Sequence, residues 1–344
     1  MKIAVAMSGG VDSTTAAYIL QKQGHDLTGV TARMFTHPQR DPVEQAMASC
    51  NQLGIPFRQL DLTDIFERQI MEPFCRDYLD GRTPSPCIRC NRLIKFGEIL
   101  NSVRALGFDA LASGHYARVR SENGRYFISR GADRSKDQSY FLFALTQEML
   151  SGILFPLADY TKEEIRKISA DAGLVAAQSK ESQEICFIPD DDYKRFIEAR
   201  TDIPKTGDIT DLSGKILGRH HGIHRYTIGQ RRGLGISHTE PLYVTGIVPE
   251  ENRIIAGTKE HLFREGLVAR GVTFQKATAL DGDTVYAKIR STHPPVKAQA
   301  TVSDEGLLTV RFEELTQQIS PGQAAVLYDE GGNILAGGWI ERSL

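Results

Sequence analysis

No apolar run in these 344 residues approaches the roughly 20 positions that a membrane span requires, so the pattern excludes a helical membrane protein and leads us to expect a soluble one. The opening residues hold one lysine and about five apolar positions before Ser8, too few for the apolar core of a secretory leader. Cysteine is scarce and odd in number, five in all, which argues against a disulfide scaffold and for a reducing, cytoplasmic setting. Net charge is nearly absent, at -2, and neither predicts nor excludes a nucleic-acid partner, because such binding depends on local basic surface. Internal repeats and low-complexity tracts are missing too. What remains is an ordinary globular composition, 41% hydrophobic and 24% charged, in a chain long enough for two or three domains.

The first hundred residues alternate strand and helix patterns. KIAVAMS reads as a buried strand, DSTTAAYILQKQ as an amphipathic helix stopped by Gly24, and DLTGVTARMF as the next strand. Asp41, Pro42 and Glu44 start a helix that ends before Gly54, PFRQLDLT is a third strand, and ALASGH (110–115) follows a helix from Asn91 to Leu106. Such alternation predicts an α/β fold, a doubly wound parallel sheet whose ligands sit beyond the carboxyl ends of the strands. Ser8, Ala32 and His115 fall at those ends. Glycine and cations then dominate about 200–235 without helical period, predicting a small loop-rich domain. From about 268, the runs VYAKIR, AQATVS, LLTVRF, AAVLYD and ILAGGWI predict a C-terminal antiparallel β-barrel. The expected domains are therefore 1–200, 201–267 and 268–344.

Between the first strand and helix stands SGGVDS. A glycine-rich turn there exposes backbone N–H groups at the positive end of a helix, a seat for phosphate. The Gly-Lys-Ser/Thr ending of a Walker loop is absent, so transfer of a terminal phosphoryl group is not expected. The segment resembles the loop of the ATP pyrophosphatase (PP-loop) family. That resemblance implies ATP and magnesium, with the loop gripping the departing pyrophosphate and Asp12 orienting either the loop or the metal.

The cysteines narrow the chemistry. TPSPCIRCNRLIKFG places Cys87 and Cys90 in a proline-bounded loop before a helix, where the helix terminus, Arg89 and Arg92 should lower a thiol pKa. Cys186 lies far along the chain in KESQEICFIPD. Cys50 and Cys75 sit in helix patterns and read as buried hydrophobes.

CNRLIKFG, SGHYAR, KDQSYFLFAL, EICFIPD, YTIGQRRGLGI and PGQAAVLYDE together resemble the bacterial tRNA-specific 2-thiouridylase family from residue 3 to about 340. The resemblance implies adenylation of the wobble uridine 2-oxygen by ATP, then sulfur delivery by a cysteine persulfide. It assigns the persulfide to Cys186 and the partner nucleophile to Cys90, and the nucleotide to Ala6, Met7, Ser8, Gly9, Gly10, Val11, Asp12, Ser13, Ala32 and Gly114. Ala32 stands where the family usually has methionine. Lys136, Asp137 and Gln138, Arg231 and Arg232, and Arg290 with Ser291 are the implied tRNA contacts. Partners implied are tRNA and an upstream sulfur donor, a cysteine desulfurase or a relay protein.

The chain departs from the family where Asn-Pro-Asp becomes Ser85, Pro86, Cys87. Related sulfur transferases carry such a three-cysteine set around a four-iron cluster, so Cys87, Cys90 and Cys186 read either as iron-sulfur ligands or as a persulfide and disulfide system with Cys87 as resolving thiol or bystander. Zinc fits less well without a fourth ligand. Two other functions stay open, an amide-forming synthetase of the same superfamily and a non-catalytic RNA-binding protein stapled by metal.

Overall fold

In a computed structural model of the chain, residues 1–36, 41–178, 185–188, 190–202 and 205–344 are described. Five parallel strands open the fold: β1 (Lys2–Ala6), β2 (Asp26–Arg33), β3 (Phe57–Asp61), β4 (Ala110–Ala112) and, after an antiparallel hairpin of β5 (Ala117–Glu122) and β6 (Arg125–Arg130), β7 (Ile153–Leu154). Their order is β3-β2-β1-β4-β7, with every pairing parallel.

The period-two pattern of β1 explains why both faces are covered. Ile3 and Val5 pack with Ala17 and Leu20 of α1 (Val11–Lys22) and with Ala46 and Cys50 of α2 (Pro42–Leu53). Ala4 points the other way, into a larger core with Phe66, Phe74, Ile94 and Leu100. That second layer consists of two helical segments, 63–79 and 86–105. Each contains an i→i+5 bonded π stretch, Glu67–Met71 in the first and Cys90–Ile99 in the second. The pattern reading places Cys75 in a helix without giving that helix bounds, and begins the second segment at Asn91. The helix in fact starts at Pro86, so Cys87 and Cys90 are helical rather than in a loop. Proline after Ser85 is a good first helical residue as well as a loop residue, which is why the start was misplaced.

The loop-rich stretch expected at about 200–235 runs instead over 221–242, and the middle segment also builds a four-stranded sheet. β8 (Gly207–Thr210), β9 (Ile216–His220), β10 (Tyr243–Val248) and β11 (Arg253–Gly257) lie in the order β10-β11-β8-β9. The last unit is a closed six-stranded antiparallel barrel in the order β12-β15-β14-β13-β16-β17. Its strands are β12 (Phe263–Phe274), β13 (Asp281–Lys288), β14 (Val296–Val302), β15 (Leu308–Gln317), β16 (Ala324–Tyr328) and β17 (Ile334–Ser343). β12 escaped the alternation reading because its pairing is interrupted at Arg264/Gly266 and at Arg270/Thr273, which breaks the two-residue period.

The barrel is not a separate bead. Ala324, Val326, Tyr328 and Ile334 share the large core of the first unit. Among the described residues, no helix is long and apolar enough to cross a membrane.

Candidate active site

The carboxyl ends of β1, β2 and β4 form one rim. From the end of β1 the chain enters Met7–Gly10 and then α1. Ser8 is exposed, and its backbone N–H donates to Ser13 Oγ at 3.1 Å. Ser13 Oγ also lies 3.1 Å from Ser8 Oγ and 3.2 Å from the Gly10 carbonyl it donates to, so the hydroxyls hold the turn from within. Gly9 has φ +75°, and a Cβ there would sit 2.8 Å from the Gln45 carbonyl carbon and 2.9 Å from Ala46 N; only glycine fits. The N-cap of α1, Gly10, makes no side-chain cap bond, so the first-turn amides are left for another acceptor.

Gly114, just past β4, is equally constrained. A Cβ would lie 2.8 Å from Asp12 C and 2.9 Å from Ser13 N. Gly114 therefore packs directly on the loop. Ala32, near the end of β2, is 9% exposed, and the half-buried Met34 packs against the same core.

Asp12 has a role that sequence left open. Lys162 Nζ lies 2.7 and 2.8 Å from its two oxygens, and Tyr116 donates its hydroxyl to Oδ1 at 2.7 Å. The carboxylate is thus engaged within the protein, which fits orienting the loop. Lys162 is 7% exposed and opens the helix Lys162–Asp171 behind a Thr161–Glu164 capping box. Sequence reasoning missed it. A signal existed: a cation in a helix's first turn opposes the dipole and calls for an anionic partner.

The three cysteines gather around Lys95. Cys90 is buried, while Cys87 and Cys186 reach solvent. Burial is nevertheless the leading effect on each, because the protein around these sulfurs strips away much of their water. It pushes Cys90 up to about 11 and Cys186 up to about 12, and it raises Cys87. Cys186 feels both other thiols, which raise it further, and the Lys95 charge opposes the rise at all three.

The expectation of lowered thiol pKa values is therefore overturned. Desolvation outweighs the cations, and Arg89 is committed elsewhere: it pairs with Asp77 at 3.1 Å and lies 5.8 Å over the Trp339 ring. Lys95 also bears on His115, whose pKa burial and that charge hold well below the ordinary histidine value. His115 sits between the rings of Phe96 and Phe155, 5.6 Å from each, with Nδ1 2.8 Å from Ser113 Oγ. Since His115 follows Gly114, Lys95 joins the thiols to the loop's rim.

Two outside elements fix this arrangement. Phe187 and Ile188 are buried and anchor Cys186, with Phe187 edge-on to Phe74 at 5.4 Å and to Phe66 at 5.7 Å. Of the segment KESQEICFIPD, residues 180–184 and 189 lie outside the described residues. On the other side, a barrel loop clamps the chain before the cysteines. Thr83 N donates to the Pro321 carbonyl at 2.8 Å, and Gln323 Nε2 donates to the Thr83 carbonyl at 2.8 Å. Cys50 and Cys75 are buried in cores, as expected, and burial pushes each up to about 11.

The expected RNA contacts separate into two groups. Arg231, Arg232 and Ser291 are exposed, and Arg231 lines an open groove of about 580 Å³ with residues 233–242. The others are tied into the protein. Asp137 lies 3.4 Å from Arg130 Nε and accepts from Ser139 N, and Gln138 Oε1 accepts from Tyr116 N at 2.9 Å. Lys136 is half-buried. Arg290 donates to the Ile228 carbonyl at 3.1 Å and to Ser320 Oγ at 2.5 Å. Within the basic segment around residue 220, His220 and His224 are fully buried, bonded to the Asn252 carbonyl and to Glu198.

Three family profiles match in series, described as a tRNA methyl transferase HUP domain (1–190), a tRNA methyl transferase PRC-barrel domain (194–258) and an aminomethyltransferase beta-barrel domain (265–340). Curated relatives match end to end. A protein of Geobacter metallireducens named tRNA-specific 2-thiouridylase MnmA is 44% identical, covering 100% of this chain and 97% of its own length. Proteins of the same name from Syntrophotalea carbinolica (46% identical, 98% of each chain) and Geotalea uraniireducens (42% identical, 100% of this chain and 96% of its own) match as closely.

Proposed function

This chain belongs to the tRNA-specific 2-thiouridylase family, and on that premise we propose that it replaces the 2-oxygen of the wobble uridine in tRNA with sulfur, consuming ATP and releasing AMP and pyrophosphate. It is a tRNA sulfurtransferase rather than a methyl-transfer enzyme, as the profile descriptions would suggest, because the full-length relatives are named for thiolation and the rim carries three thiols.

ATP is the first substrate, bound by Ala6 to Ser13 with Ala32 and Gly114, and magnesium accompanies its phosphates. The uridine O2 attacks the α-phosphorus and pyrophosphate leaves toward the loop's amides. A carbonyl oxygen is a poor leaving group, but a phosphorylated one is not. The terminal sulfur of a Cys186 persulfide then bonds to C2, and AMP departs with the former O2. Cys90 finally attacks the Cys186 sulfur, forming a Cys90–Cys186 disulfide and leaving the thiocarbonyl on the base. A cysteine desulfurase or relay protein reloads Cys186 after reduction, in the cytoplasm where thiols stay reduced. Arg231 and Arg232, with Lys136, Asp137, Gln138, Arg290 and Ser291, bear on the tRNA.

The observation that carries this reading is the meeting of Cys90, Cys186 and Lys95 beside His115 and Gly114, on the rim that the loop occupies. Such a meeting has no use in an amide-forming synthetase. The rival sulfur route is a four-iron cluster on Cys87, Cys90 and Cys186. Among the described residues, no three metal-ligating side chains group closely enough to hold an ion, so the persulfide route is the better supported.

The deciding experiment incubates the protein with ATP, a sulfur source and unmodified tRNA, then seeks thionucleoside by mass spectrometry. Thiouridine should appear with matching AMP and vanish with Cys186→Ser. Full activity of Cys186→Ser would overturn the reading. Iron and acid-labile sulfide analysis after anaerobic purification tests the cluster.

A further inference from the structure

Sulfur transfer as described uses two thiols, yet a third, Cys87, lies one helical turn before Cys90. Cys87 and Cys90 lie one helical turn apart, three residues along a continuous helical segment, which sets their Cα atoms about 5 Å apart, inside the window a disulfide accepts. The two residues between them are pinned. Ile88 is fully buried, and Arg89 is held by Asp77 and Trp339. The pair is also asymmetric: Cys87 is open to solvent and Cys90 is buried. A reductant from solution therefore reaches the first sulfur and not the second.

Building on the persulfide reading above, we propose that Cys87 is a resolving thiol that attacks Cys90 in the Cys90–Cys186 disulfide and moves that disulfide onto Cys87–Cys90. The Cys87–Cys90 bond forms as the Cys90–Cys186 bond breaks. The proton lost by Cys87 is matched by one gained at the Cys186 thiolate, and no net oxidation occurs. A dithiol, either a small molecule or a dithiol protein, then attacks the exposed Cys87 sulfur, takes over the disulfide and returns both thiols. The gain is that Cys186 is freed for its next sulfur before any outside reductant arrives. The oxidising equivalent is parked on a pair that such a reductant can reach.

The test first needs neither tRNA nor ATP. Wild type, Cys87→Ser and Cys87→Ala are oxidised with diamide, free thiols are alkylated, and disulfides are mapped by peptide mass spectrometry. Wild type should carry Cys87–Cys90 with Cys186 alkylated, and both variants should carry Cys90–Cys186. Wild type with Cys90–Cys186 linked and Cys87 alkylated overturns the proposal, as does stoichiometric iron and sulfide held by all three thiols. A second arm quenches steady-state thiolation in acid: the Cys87–Cys90 disulfide should predominate severalfold over Cys90–Cys186 in wild type and the ratio should invert in Cys87→Ala. A wild type that makes no thionucleoside removes the functional reading, while the diamide map still reports on the couple. Circular dichroism confirms that the variants fold, as the exposure of Cys87 leads one to expect.

Discussion

Lys95 illustrates how much one residue's position depends on backbone form. In an α-helix, a side chain five along from Cys90 lies about 140° round the axis. The i→i+5 bonding of Cys90–Ile99 widens the turn and brings that position back to within about 50°. The widening thus sets a cation beside thiols that burial keeps protonated. Since the pKa values of Cys90 and Cys186 are raised, thiolate is scarce at neutral pH, and iodoacetamide alkylation should accelerate about tenfold per pH unit between pH 7 and 10. Lys95→Gln removes the opposing charge, so alkylation at pH 8 should slow by roughly threefold to tenfold. An unchanged profile would remove Lys95 from the thiols' electrostatics.

At the scale of elements, the loop works because β4's end and α2 close on it. Gly114→Ala drives a methyl into the Asp12 and Ser13 backbone, an overlap worth about 1–3 kcal/mol that the loop would relieve by shifting. ATP affinity, measured by equilibrium dialysis, should fall roughly tenfold or more while far-UV circular dichroism stays unchanged. The stretch 221–242 makes a separate case, since Arg231 and Arg232 are exposed there and form no ion pair among the described residues. Reversing both to glutamate should weaken tRNA binding and reduce its salt slope by up to about 2, with ATP binding intact. Unaltered RNA affinity in a filter-binding titration would defeat the assignment.

Across the whole molecule, the barrel and the first unit share one hydrophobic core and a set of buried hydrogen bonds. Gln275, fully buried after β12, donates to the Leu142 carbonyl at 2.9 Å and the Phe143 carbonyl at 3.0 Å, and accepts from Ile128 N at 2.9 Å. Tyr140 and Ala324 exchange bonds across the same junction. The chain's single tryptophan, Trp339, packs there against Phe143 at 5.6 Å. Its fluorescence and circular dichroism should therefore report one coincident urea transition. Gln275→Ala, which strands buried backbone groups, should cost about 2–4 kcal/mol and lower the midpoint. Separate transitions for the two probes would show that the barrel unfolds alone.

The amino-acid order by itself determined the parallel sheet, the glycine-rich turn after β1 and five of the six barrel strands. Each depends on a short-range rule: alternation, helical period, or glycine where the backbone must turn or approach closely. Only the tertiary structure decided that Asp12 would meet Lys162, 150 residues away, that barrel residues 321–323 would brace Thr83 ahead of Cys87, and that the thiols would be raised rather than lowered. It also decided that His220 and His224 would be core groups while Arg231 and Arg232 faced water. Local pattern carries no record of which distant segments pack together or how much water that packing removes, and pairing and desolvation follow from those alone.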